Sequence, residues 1–151
     1  MPSTPLHQLI PVLQVAVGPV ILISGVGLLL LTLTNRYGRT IDRSRQLVRE
    51  LRELEGPARQ RIEGQIQILY HRARMIRLSI LLAGVSVLLA SLLIAVLFLT
   101  ALLHWEVGLL ITLLFVACVL SVSASLVAFI REVNLSLAAL KLELADELPM
   151  P

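Results

Sequence analysis

The sequence predicts an all-α integral membrane protein: three transmembrane helices with a cytoplasmic antiparallel helical hairpin between the first and the second. Three observations predict it. Three long stretches carry no Asp, Glu, Lys or Arg, eleven arginines crowd into residues 36–77, and that arginine-rich segment breaks once, at Gly56 and Pro57. With 57% of 151 residues apolar and 15% charged, a water-soluble fold has too little polar sequence to cover its surface.

Residues 1–35 form the N-terminal segment and first span. Its densest apolar part, Leu9 to Thr34, covers a ~30 Å hydrocarbon layer at ~1.5 Å rise per residue. No Lys or Arg precedes it, so it is expected to stay in the mature protein rather than act as a signal peptide. Gly18 and Pro19 lie inside it, and a proline ring removes one helical hydrogen bond, so a kink or break is expected there. Residues 78–103 and 107–130 are the second and third spans, joined by an outer loop, residues 104–106, where Trp105 suits an interfacial anchor. That loop contains no Lys or Arg. The arginine-rich segment is therefore expected on the cytoplasmic side, with the N-terminus outside and the C-terminus inside.

The hairpin, residues 36–77, turns at 56–57, where Gly56 suits a left-handed helix cap and Pro57 the start of a helix. Leu47, Leu51, Leu54 and Ala58 face inward on the outgoing arm. Ile62, Ile66, Leu69, Ala73, Ile76 and Ile80 do so on the returning arm, at the alternating four and three spacing of a coiled-coil seam. Toward the membrane the outgoing seam becomes polar, with Ser44 and Thr40. Ile41, Val48 and Leu69 are candidates for contacts between chains. The amphipathic tail, residues 131–151, either continues the third helix or lies along the hairpin.

The stretch VAVGPVILISGVGLLLLTLTNRYGRTIDRSRQL, then HRARMIRLSI, then FIREVNLSL, resembles the domain of unknown function 2721, a family of small bacterial membrane proteins. The shared pattern falls here on Gly18, Pro19, Ser24, Gly25, Asn35, Arg36, Asp42, Arg43, Arg131 and Glu132. Gly38 stands where the pattern commonly has alanine. The resemblance implies a bacterial inner-membrane location and carries no catalytic residue with it.

Two sets of residues are candidates for function. Arg36, Arg39, Asp42, Arg43, Arg74, Arg77, Arg131 and Glu132 all lie where the spans meet the cytoplasmic side, an inner-mouth charge cluster. Asp42 is within reach of Arg39 and Arg45 along one helix, and Glu132 of an arginine on a neighbouring helix. Such arginines orient the chain and contact anionic lipid headgroups at ~1 kcal/mol each. In an oligomer they would also form the charged ring of a pore. Ala117, Ser121, Ala124, Ser125 and Ala128 form a small-residue face on the third span, suited to close helix packing.

His7, His71 and His104 are scattered and Cys118 has no partner cysteine, so no metal site, cofactor or enzymatic activity is expected. Glu50, Glu53, Glu55 and Glu63 interrupt the basic hairpin and weigh against nucleic acid. The expected role is a homo-oligomeric membrane assembly or scaffold using the hairpin for self or partner contact. The alternatives are a small oligomeric ion channel and a membrane-bound sensor signalling to a soluble partner.

Overall fold

The computed structural model describes the backbone of residues 6–52, 55–103 and 107–147, and the side chains of 10–52, 55–103 and 107–137. All regular structure among these residues is helical: α1 (Leu6–Leu51), α2 (Pro57–Leu103) and α3 (Gly108–Glu147). Each contains a stretch long and apolar enough to cross a membrane. The most apolar windows of α1, α2 and α3 are only 11%, 22% and 11% buried, so most of that surface is turned outward, as suits a lipid solvent.

No helix is confined to its apolar run. Neither α2 beyond Pro57 nor α3 contains a proline, and a chain without a breaker carries its hydrogen-bond ladder from hydrocarbon into polar surroundings unchanged. The predicted tail, residues 131–151, thus continues α3 as far as Glu147. Helix α1 passes through Pro11 and Pro19 without interruption, so of the expected kink or break at Gly18 and Pro19 there is no break, and Gly38 is likewise helical.

At the other end, α1 stops at Leu51 rather than reaching Glu55, and its last turn tightens as the Arg52 amide donates to the Arg49 carbonyl at 3.2 Å. Gly56 has φ +72°, a conformation glycine adopts without steric cost. It belongs to the start of α2, where its carbonyl accepts from the Arg59 amide at 3.2 Å, rather than directly capping α1. Leu54 of the predicted seam and Trp105 of the predicted outer anchor lie outside the described residues.

The chain divides into two compact units, Met1–Leu31 with Leu81–Ala124, and Thr32–Ile80 with Ser125–Pro151. In the first, the buried positions are Ala16 and Val26 of α1, Ala83, Ser86, Ala90 and Leu93 of α2, and Cys118 of α3. Most are small, which lets backbones approach closely where the hydrophobic effect offers no drive. The Cys118 thiol donates to the Ser86 carbonyl at 3.2 Å and the Ser121 hydroxyl to the Leu82 carbonyl at 2.8 Å. Three residues up α3 match four residues down α2, so the two helices run antiparallel.

In the second unit the buried set is Leu33, Thr40 and Leu47 of α1, Ala73, Ile76 and Ser79 of α2, and Ser125, Ala128 and Glu132 of α3. The α1 positions recur every seven residues, which keeps them close to one face of the helix. Along α2, Ile62, Ile66, Leu69 and Ile80 are partly buried around buried Ala73 and Ile76, the predicted four and three pattern, whereas Ala58 is exposed. The Ser125 hydroxyl donates to the Ser79 carbonyl at 2.8 Å. Thr40, which reads as a weak point of the seam, is buried and donates to the Arg36 carbonyl at 3.0 Å. Among the described residues no buried side-chain nitrogen or oxygen lacks a partner.

Candidate functional site

The second unit holds a fully buried carboxylate. Glu132 of α3 is 0% exposed, and ionised carboxylates are almost never buried without partners. Its Oε2 accepts from Nη2 of Arg36 on α1 at 3.0 Å. Its Oε1 accepts from Nε and Nη2 of Arg72 on α2, both at 3.3 Å. One acidic side chain thus ties all three helices together, and both arginines remain about a quarter exposed, at 28% and 24%. That asymmetry is physically sensible. The carboxylate is compact enough to bury completely, while each longer arginine keeps part of its side chain exposed.

Two further contacts shape the cluster. The Arg36 guanidinium stands over the Phe129 ring at 5.2 Å from its centroid, within cation–π range. Phe129 and Glu132 are three residues apart on α3 and so share a face. Beside the cluster, Arg36, Arg39, Thr40 and Arg72 line a cleft of about 290 Å³. Arg36 therefore has two roles, holding Glu132 and walling the cleft.

The predicted charge cluster separates into members that meet and members that do not. Glu132 and Arg36 pair, and Arg39, though exposed, lines the cleft beside them; Asp42, Arg43, Arg74, Arg77 and Arg131 are exposed and line no part of it. Among the described residues Asp42 makes no ion pair with Arg39 or Arg45; the described ion pairs are the two at Glu132 and Arg59 with Glu63 at 3.0 Å. Of the small-residue face, Ser125 and Ala128 are buried and Ser121 partly so, while Ala117 and Ala124 are exposed. The buried stripe runs instead through Cys118, Ser121, Ser125, Ala128 and Glu132.

Arg72 was not among the candidates read from the sequence, and a signal for it exists. Seven residues bring a helix back to within ~20° of the same face, and Arg72, Ser79 and Ser86 are spaced by seven on α2. Cys118, Ser125 and Glu132 are spaced by seven on α3. Two matched stripes of small polar residues ending in opposite charges mark the pairing. Arg74 and Arg77 lie about 140° and 160° away from Ser79 around α2 at ~100° per residue, which places them on the outer surface.

The family model described as a protein of unknown function, DUF2721, matches residues 16–142. The chain belongs to this family. The DUF2721 match takes in the whole cluster, from Arg36 through Arg72 to Glu132. No curated protein and no solved structure matches the chain. Among the described residues of this DUF2721 protein no three His, Cys, Asp or Glu side chains come together as a metal site would require. What the site offers chemically is a positively charged cleft whose walls are held by a buried counter-charge.

Proposed function

We propose that this DUF2721 protein is a multi-pass protein of the bacterial inner membrane, N-terminus outside and C-terminus inside, that assembles with copies of itself as a scaffold. Residues 36–77 form its cytoplasmic hairpin, and its arginines sit among anionic lipid headgroups. It performs no enzymatic reaction, and nucleic acid is not its partner. The membrane placement is supported by three outward-facing apolar helices, and its orientation by arginine density on one connection.

The observation that carries the scaffold reading is the internal neutralisation of Glu132. A selectivity ring needs its carboxylates on a central axis, in contact with ions. Glu132 instead faces Arg36 and Arg72 of its own chain and is wholly buried. It stiffens a protomer and leaves a channel without one of its two candidate acids. Apolar side chains available for assembly include Val48, Ile68 and Tyr70, which are 40%, 43% and 72% exposed on the polar arms of α1 and α2, beyond the lipid that covers apolar side chains in the spans.

The test is cysteine crosslinking in mild detergent, on the full chain carrying Cys118→Ser with Val48→Cys or Ile68→Cys. Crosslinked dimers or larger species are expected; monomer alone removes the assembly. Reconstituted into liposomes, the same protein is expected to pass ions at background. A conductance that changes with Asp42→Asn or Glu132→Gln would establish the channel reading in its place.

A further inference from the structure

The cleft beside Glu132 carries more arginine than its counter-charge uses. We propose that Arg36, Arg39 and Arg72 bind a dianionic phosphate group, the terminal phosphate monoester of a membrane lipid. The inference deepens the membrane reading above and rests on its placement of the arginines at the lipid headgroups.

Charge is the first argument. Three guanidinium groups, permanently protonated, bring three positive charges to one cleft, and Glu132 returns one negative charge, leaving a surplus of two. A phosphate monoester carries about −1.5 to −2 near neutral pH, a close match, whereas a phosphodiester or carboxylate leaves the site undercompensated. Unspent donors are the second argument. Each arginine presents five N–H groups in a planar fork suited to phosphate oxygens. Arg36 gives Glu132 only its Nη2, Arg72 gives only Nε and Nη2, and among the described residues Arg39 gives none to another side chain.

Preorganisation is the third. Glu132 holds both Arg36 and Arg72, and Phe129 supports the Arg36 guanidinium from its face. Two of the three forks are thus ordered before any anion arrives, which lowers the entropic cost of binding. The cleft, about 290 Å³, lies at the bottom of the ~300–1,000 Å³ range of small-molecule sites. It accommodates a headgroup phosphate rather than a nucleotide. The lipid source is favoured by exposed apolar side chains elsewhere in the same unit: Leu78, Val127 and Ile130 are 51%, 50% and 55% exposed, surfaces that suit a lipid solvent. Inorganic phosphate shares the recognition chemistry and lacks the chains.

The test measures thermal unfolding of the full chain in neutral detergent micelles. The micelles are doped with phosphatidic acid or phosphatidylglycerol, or the buffer is supplied with inorganic phosphate. A ligand of the folded state raises the midpoint in proportion to its affinity. Phosphatidic acid is expected to bind about tenfold more tightly than phosphatidylglycerol, and Arg39→Gln to lose about tenfold, the consequence of one charge-assisted contact. Arg39 is exposed and outside the ion cluster, so this variant is expected to fold. Arg43→Gln removes the same charge from an exposed position outside the cleft and is expected to change binding less than about twofold.

Whichever of phosphatidic acid and inorganic phosphate gives the larger response sensitive to Arg39→Gln identifies the source; a larger inorganic phosphate response overturns the lipid assignment alone. Equal responses to the two lipids, or equal losses in the two variants, reduce the cleft to surface electrostatics and overturn the proposal. Native mass on the same samples separates the readings. A monomer that still distinguishes Arg39→Gln from Arg43→Gln removes the scaffold and leaves the cleft, and an oligomer that does not distinguish them removes the cleft alone.

Discussion

In each compact unit side chains of α3 donate to main-chain carbonyls of α2, and only one unit adds a buried charge. In the unit formed by Met1–Leu31 and Leu81–Ala124, α3 meets α2 through a thiol and a hydroxyl that donate to main-chain carbonyls at 3.2 and 2.8 Å. Those carbonyls have a second lone pair to offer beyond their own helical bonds, so no group is left unsatisfied and no charge enters the apolar region. In the unit formed by Thr32–Ile80 and Ser125–Pro151, a buried carboxylate meets two arginines. The difference teaches where a charge is tolerable. In hydrocarbon a central Arg, Lys or Asp costs roughly 2.5 to 3.5 kcal/mol on insertion. At Glu132 the outer parts of both arginines remain partly exposed, so the cluster keeps some hydration while its centre is dry.

This contrast gives a ranked set of expectations, each read as a change in unfolding free energy in detergent. Replacing both Arg36 and Arg72 with Ala strands Glu132 as a buried unpaired charge and is expected to cost about 3–5 kcal/mol. A smaller loss would mean that Glu132 is hydrated. Glu132→Gln leaves two arginines that can turn to solvent, and is expected to cost less, about 2 kcal/mol for lost charge-assisted hydrogen bonds. If the order of these two were reversed, the arginines rather than the carboxylate would be the buried partners. Gly56→Ala, at φ +72°, is expected to cost about 1–2 kcal/mol through backbone conformation alone. Ser121→Ala and Ser125→Ala are each expected to cost about 0.6 kcal/mol, the average for a hydrogen bond between membrane helices. Equality of the two would mean that the hydroxyl contacts are indifferent to the unit they lie in. Least of all, a double-mutant cycle on Arg59 and Glu63, both about half exposed, is expected to return about 0.3–0.5 kcal/mol.

Helical class and the three apolar stretches were legible because both depend on local composition: a charge-free run long enough to cross a bilayer announces itself. The returning seam from Ile62 to Ile80 was legible for a related reason, since a four and three spacing has one partner-facing side on any helix. Legibility failed where the outcome depended on a third element. Thr40 and Ser44 looked like a fading two-helix seam; in the structure α3 belongs to that unit, and Thr40 is buried. Arg72 looked like one arginine among eleven, because selecting it requires the rotational phase of α2 against α3, a long-range quantity. Glu132 was recognised as a pairing residue, but its two partners lie 96 and 60 residues away in sequence. Helix ends were poorly placed for another reason: with no proline between Gly108 and Glu147, nothing in the chain marks the lipid boundary as a helix boundary.

Glu132 also has a bearing on the order in which the protein comes together. Synthesis delivers α1 and α2 before α3, so for a time Arg36 and Arg72 converge with no carboxylate between them, and like charges at short range repel. Pairing of α1 with α2 alone therefore leaves two like charges uncompensated at that end, and the arrival of Glu132 neutralises one of them.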